Sequence, residues 1–157
     1  MVDNAICIFK SIEDILLLIY TNKNKSIISY NLNNNQFINE IKNAHDDMIS
    51  SIGHFFDLIN KRVLILTISC YDNNLKLWDI TFNCLVNLKN VNKEGYLFSA
   101  TALNNNNQNY IITSNCNYSN NCDPIKIFDF NGNKINEINE IILIILQILL
   151  IHIMIIF

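Results

Sequence analysis

The stretch Tyr71-Asp72-Asn73-Asn74-Leu75-Lys76-Leu77-Trp78-Asp79-Ile80 decides how this chain is read. Its apolar half can be laid over two others, Ile27-Ile28-Ser29-Tyr30-Asn31-Leu32 and Ile125-Lys126-Ile127-Phe128-Asp129-Phe130. An aromatic recurs at Tyr30, Trp78 and Phe128, 48 and then 50 residues apart, followed each time by Asn or Asp and then by a large apolar residue. Bulky residues occupy both alternating positions of these runs. That is the pattern of a strand whose sheet lies between two other sheets rather than against water.

Working outward, β-branched and aromatic runs alternate with polar clusters rich in Asn, Asp and Lys, the signal for strands joined by hairpins. Strands are expected near 6–10, 15–21, 26–32 and 37–41, then near 48–54, 63–69, 75–80 and 84–88, then near 97–102, 110–114, 125–130 and 134–138. Each set is four strands in tandem, and the period lies slightly above the roughly 40 to 45 residues of a four-stranded propeller blade. The expected fold is all-β: a partial β-propeller of about three four-stranded antiparallel blades, over 5–43, 44–91 and 92–140, followed by a hydrophobic C-terminal helix over 141–157. The Asn tracts 33–35 and 104–107 read as loops, because Asn tolerates the left-handed backbone of tight turns and stands where other sequences use Gly.

The second set carries a more specific pattern. With Ala44-His45 ahead of it, the stretch ending in Trp78-Asp79 resembles the WD-repeat β-propeller family, whose naming dipeptide is Trp-Asp. The resemblance covers about residues 5 to 140, with the specific motif between His45 and Asp79 and the other two sets degenerate. It implies a hydrogen-bonded structural tetrad of His45, Ser69, Asp72 and Trp78, with Thr67 as the alternative hydroxyl. The physical sense is that an indole N–H only donates; a hydroxyl that accepts from it can donate onward to an imidazole held by a carboxylate. The family's place for the hydroxyl falls at Ile68, between Thr67 and Ser69, and a one-residue shift needs a bulge or a different acceptor. In the third set Phe128 replaces Trp and no histidine precedes it, so no tetrad is expected there.

Several chemistries are not written in the chain. His45, Ser69 and Asp72 have the residue types of a hydrolase triad, but no Gly-containing elbow surrounds Ser69, and no catalytic residues are expected. Three glycines cannot compose a G-x-G-x-x-G or a Walker-type loop, and no cofactor is expected. A net charge of -3 supplies no basic footprint for nucleic acid. Lys61-Arg62 reads as a solvated hairpin turn. Five cysteines without a C-x-x-C pair read as buried thiols in a reducing compartment. Cys116 and Cys122 have no histidine nearby, so no metal site is expected. His54, on an expected strand, has no partner at metal spacing. Asn24-Lys25-Ser26 and Asn117-Tyr118-Ser119 match the glycosylation pattern at a frequency that chance supplies. The first ten residues lack a signal-peptide pattern, so a cytoplasmic location is expected.

Three blades fall short of the four to eight that usually close a ring, which leaves a sheet face open at each end. A fragment of a longer propeller, closure with other chains, or an open arc associating through its edges all answer that problem. The run Ile141 to Phe157 is apolar except for Gln147 and His152; as a helix its 17 residues span about 25 Å, just short of a bilayer core. It reads as a membrane anchor, as a helix packed over the open edge, or as the product of a shifted reading frame. Two functions follow. The first is a noncatalytic protein-protein interaction scaffold of WD-repeat type, truncated or incomplete, with a protein partner. The second is a small cytoplasm-facing β domain tethered to a membrane by Ile141 to Phe157.

Overall fold

The computed structural model describes residues 5–11, 13–22, 25–91, 96–105, 107–116 and 124–138. These form twelve strands and, among the described residues, no helix. Sheet 1 comprises β1 (Ile6–Lys10), β2 (Leu16–Thr21), β3 (Ile27–Asn31) and β4 (Gln36–Ile41). Sheet 2 comprises β5 (Ile49–Asp57), β6 (Arg62–Ser69), β7 (Asn74–Asp79) and β8 (Cys84–Leu88). Sheet 3 comprises β9 (Tyr96–Asn105), β10 (Gln108–Cys116), β11 (Ile125–Asp129) and β12 (Lys134–Ile138). Every sheet is an antiparallel meander in chain order. The expected C-terminal helix lies outside the described residues, as do both Asn24 and the 117–119 sequon.

The three sheets repeat in detail. A register shift falls just before the aromatic of each third strand, at Ser29/Tyr30, Leu77/Trp78 and Ile127/Phe128. The extra residue lies on the fourth strand of each sheet, at Ile38, Leu85 and Ile135, where it bends that strand and sharpens its twist, so each sheet bends at the same place. Beyond the aromatic, an Asx residue closes the turn. Asp79 accepts from the backbone N–H groups of Thr81 and Asn83, and Asp129 accepts from those of Asn131 and Asn133. Asn31 accepts from Asn33 N–H in sheet 1. This is why Asn or Asp follows the aromatic three times: a short acceptor caps the N–H groups that a tight turn leaves free. Left-handed backbone falls on Asn at 35, 43, 73, 90 and 107.

Sheet 2 is covered on both faces. One face packs Val63, Ile65, Trp78 and Phe82 against Phe9, Leu17, Ile19 and Ile27 of sheet 1. The other packs Leu64, Leu66, Leu75 and Leu77 against Leu97, Ile111 and Phe128 of sheet 3. Hence β6 is buried at seven successive positions, from Val63 to Ser69, as the unbroken apolar pattern requires. The first strands lie at the junctions: β5 packs on β1 and β2, and β9 packs on β5 and β6. The crossings between sheets are pinned alike. Ala44 N–H donates to the Lys25 carbonyl at 2.8 Å and Val91 N–H to the Asn73 carbonyl at 3.0 Å. Lys76 Nζ returns to the Ala44 carbonyl at 2.6 Å and Lys126 Nζ to that of Val91 at 2.9 Å.

Two expectations are corrected. Asn104 and Asn105 extend β9 instead of lying in a loop, because they pair with Asn109 and Gln108 across the hairpin; Asn107 takes the left-handed turn conformation, and Asn106 lies outside the described residues. Of the thiols expected to be buried, Cys7 and Cys70 are half-buried and Cys84 is exposed, while the side chains of Cys116 and Cys122 lie outside the described ones. His54 lies on β5, and Lys61 takes left-handed backbone in the turn before Arg62.

Gly132 sits in the β11–β12 turn with φ of 88°, where a Cβ would lie 2.8 Å from Leu88 Cδ2. Gly132→Ala should therefore cost about 1 to 2 kcal/mol, from a strained backbone and a displaced Leu88. Urea unfolding measures it, and a variant as stable as the parent chain would contradict the packing of this turn on sheet 2.

Candidate functional site

Four polar side chains meet in the core between sheets 1 and 2. Trp78 is 4% exposed and His45 1%. Trp78 Nε1–H donates to Thr67 Oγ1 at 2.8 Å, and Thr67 Oγ1 lies 2.9 Å from His45 Nε2. His45 Nδ1 lies 3.3 Å from Asp72 Oδ2, which also accepts from Asp46 N–H at 3.1 Å. The other oxygen, Asp72 Oδ1, accepts from Asn74 N–H at 2.8 Å and so shapes the β6–β7 turn. With His45 neutral, every donor points one way: indole to hydroxyl, hydroxyl to imidazole, imidazole to carboxylate.

The hydroxyl belongs to Thr67, and Ser69 is not part of the chain. In the β6–β7 ladder Trp78 stands opposite Ile65. Thr67 is the next residue on the same face, a diagonal neighbour at about 7 to 8 Å, within reach of an indole. Ser69 shares that face one step farther, too distant to receive the N–H. Its hydroxyl is buried and has no hydrogen-bond partner among the described residues.

Burial pushes the His45 imidazole below its ordinary range, and this outweighs the Asp72 carboxylate, which acts to raise it. The neutral ring that the network needs is thus the one the site favours. The network is most open to solvent at Asp72, whose side chain is 8% exposed. A hydroxyl that already accepts from an indole inside a closed core faces no cleft, so the residue types of a hydrolase are used here to hold a sheet.

A second buried carboxylate ties sheet 2 to sheet 3. Asp57 Oδ1 accepts from Ile59 N–H, Asn60 N–H and Asn109 Nδ2, the last at 2.7 Å from β10; its Oδ2 accepts from Asn60 Nδ2 and Arg62 Nε. Burial alone raises this carboxyl, yet these bonds outweigh it and hold Asp57 below the usual carboxylate range. The sequence hints at the local half through Asp57, Asn60 and Arg62; the partner Asn109 lies too far along the chain to be read.

His54 stacks on Phe9 with centroids 4.8 Å apart, and its Nδ1 lies 3.3 Å from Cys7 Sγ. Burial pushes the Cys7 thiol up and the His54 imidazole down, so both favour their neutral forms rather than a thiolate-imidazolium pair. No group of three His, Cys, Asp or Glu among the described residues is arranged to hold a metal. A concavity of about 740 Å³ opens between the outer strands of sheets 2 and 3, with Lys89, Lys126, Lys134 and Glu137 on its walls. Two of its ammonium groups are engaged, Lys126 with the Val91 carbonyl and Lys134 with Glu137. No protein-family model matches the chain, and no curated protein matches it in sequence.

Thr67→Val keeps the shape of the side chain and leaves both the Trp78 N–H and His45 Nε2 without partners. Each orphan costs about 1 to 3 kcal/mol, so a loss of several kcal/mol is expected in chemical denaturation. Ser69→Ala removes a buried hydroxyl that has no partner among the described residues and should not destabilise the protein. Equal losses for the two variants would reverse the assignment.

The pH dependence follows from the lowered His45 value. The unfolded ring takes its proton near pH 6.5 while the folded ring resists it, so the unfolded state binds more protons below that point. Stability is fully present above about pH 6.5 and declines as pH falls from there toward the folded value. His54, lowered by burial, adds in the same direction. An NMR titration of the His45 ring should give a value below that of an ordinary histidine; one at or above it would contradict the buried neutral ring.

Proposed function

We propose that this chain is an incomplete β-propeller of WD-repeat type that works as a noncatalytic scaffold for another protein. The observation that carries the reading is the use of Trp78, Thr67, His45 and Asp72 as one closed network, with the same bulge and the same Asx-capped turn in the other two sheets. That arrangement spends the polar groups of the core on fixing sheets. What it offers outward is a rigid set of turns, the kind of surface on which binding is built.

The crossings and the β2–β3 and β6–β7 turns lie at one end of the sheets, and Tyr71, 59% exposed, projects there. Tyrosine in such a position is a frequent anchor of protein interfaces. A protein captured by the immobilised full chain should be lost, by tenfold or more in affinity, on Tyr71→Ala, while Trp78 emission shows that the variant is still folded. Capture insensitive to Tyr71 and to substitutions in the neighbouring crossings would move the function elsewhere; no capture from the native cytoplasm would remove the scaffold reading.

A second reading rests on the run Ile141 to Phe157, which is long and apolar in sequence and lies outside the described residues. In that reading the β domain faces the cytoplasm and is tethered to a membrane. Among the described residues no helix is long and apolar enough to cross one. Membrane pelleting that resists carbonate, and is lost when 141–157 is deleted, would favour the tether over a freely soluble scaffold.

A further inference from the structure

Sheet 1 has a face that no other described element covers. Register aligns Ile6, Tyr20, Ile28 and Glu40 in one row, in which Ile28 is already buried by its neighbours, and Ile8, Leu18, Tyr30 and Phe37 in the next. Ile6, Ile8 and Phe37 are 61%, 54% and 55% exposed. The rings of Tyr20, Tyr30 and Phe37 lean on one another, with centroids 6.2 and 5.7 Å apart. An exposed apolar face of this kind marks an interaction surface.

The chain itself shows what covers such a face. Trp78 and Phe128 hold the same place in sheets 2 and 3 that Tyr30 holds in sheet 1, opposite Ile65, Ile111 and Leu18. Trp78 packs on sheet 1 and Phe128 on sheet 2, in each case against the opposite face of the preceding sheet. That opposite face is apolar, with Phe9, Leu17, Ile19 and Ile27 in sheet 1 and Leu64, Leu66 and Leu75 in sheet 2, all buried. Sheet 3 has it too. Tyr110, Ile112 and Ile125 occupy the corresponding positions and remain half-exposed, as no described element follows. One end of the chain thus presents what the other end lacks.

Sheet 1 also departs from the repeat on this face. Lys76 and Lys126, which hold the crossing from the preceding sheet, correspond to Ile28. Sheet 1 thus carries an apolar residue where sheets 2 and 3 carry an ammonium.

We propose that the uncovered face of sheet 1 is occupied by sheet 3 of a second copy of this chain, and reciprocally, so that two copies close a six-sheet ring. The inference rests on the stacked-sheet reading given above. Copy number follows from closure: the described residues of one chain supply three sheets, and rings close with about four to eight, so two such sets complete one. The contact is head-to-tail, and such contacts end in a closed ring only when the rotation completes a turn. Size agrees. A four-stranded sheet five residues long covers about 300 Å² in projection, so one contact is small and two together approach the roughly 800 Å² per partner of a stable interface.

The test is light scattering on the full chain separated by size in mild nonionic detergent, with the detergent mass subtracted. The expected mass is twice the 18.2 kDa of one chain. Phe37→Glu on sheet 1 and Ile112→Glu on sheet 3 should each reduce it to one chain, because in either variant both contacts of the ring carry a buried charge on one side. Trp78 emission reports whether each variant is folded; should one fail, Ile8→Glu or Leu103→Glu takes its place. A single-chain mass for the unmodified protein at tens of micromolar overturns the proposal. So does a ladder of larger assemblies, or a two-chain mass that survives either substitution. A monomer that still captures a partner through Tyr71 would reject the ring and leave the scaffold standing, and a ring that captures nothing would do the reverse.

Discussion

An indole N–H enclosed in a protein core must find an acceptor, and the second sheet is organised around how Trp78 finds one. Thr67 accepts from the indole and passes its own proton toward His45, which is fixed in turn by Asp72. The network links β6, β7, the turn between them and the segment that crosses from sheet 1. Lys76 adds a further hold, with its ammonium 5.6 Å from the indole centroid and bonded to the Ala44 carbonyl beside His45. The aromatic therefore fixes both the sheet that contains it and the path by which the chain arrives there.

The other sheets keep the geometry without this network. In sheet 3, Thr113 is buried at the place of Thr67, while Phe128 has no N–H to donate. In sheet 1, Tyr20 takes that place beside Tyr30. What persists in all three is the bulge, the capped turn and the apolar pairing, which depend on backbone and shape. The polar chain is concentrated in sheet 2, which other described sheets enclose on both faces and where an unpaired polar group costs most.

Much of this was legible in the residues. All twelve strands follow from β-branched runs and polar breaks, because alternation and turn chemistry act over a few residues. The choice of Thr67 over Ser69 was not, because it depends on the ladder. Four residues, Cys70 to Asn73, separate the paired Ser69 and Asn74, and that loop length sets Trp78 opposite Ile65. Counting back from Asp72 leaves the pairing open; counting outward from the loop would have given it. Asp57 was missed for a related reason: one of its donors, Asn109, comes from a strand whose placement is a tertiary fact. The Asn residues of 104–107 misled because composition favours a turn, whereas cross-strand pairing prolonged β9 through Asn105.

The pinned crossings have a consequence for how the chain is made. Each crossing docks on a carbonyl of the β2–β3 or β6–β7 turn, at Lys25 for Ala44 and at Asn73 for Val91, so the acceptor is always synthesised before its donor. Each emerging segment then meets a surface already laid down, and its first tertiary bonds reach back only to the hairpin before it. Such an arrangement suits growth from the N-terminus during translation, each sheet serving as a template for its successor, with little waiting for distant partners to appear.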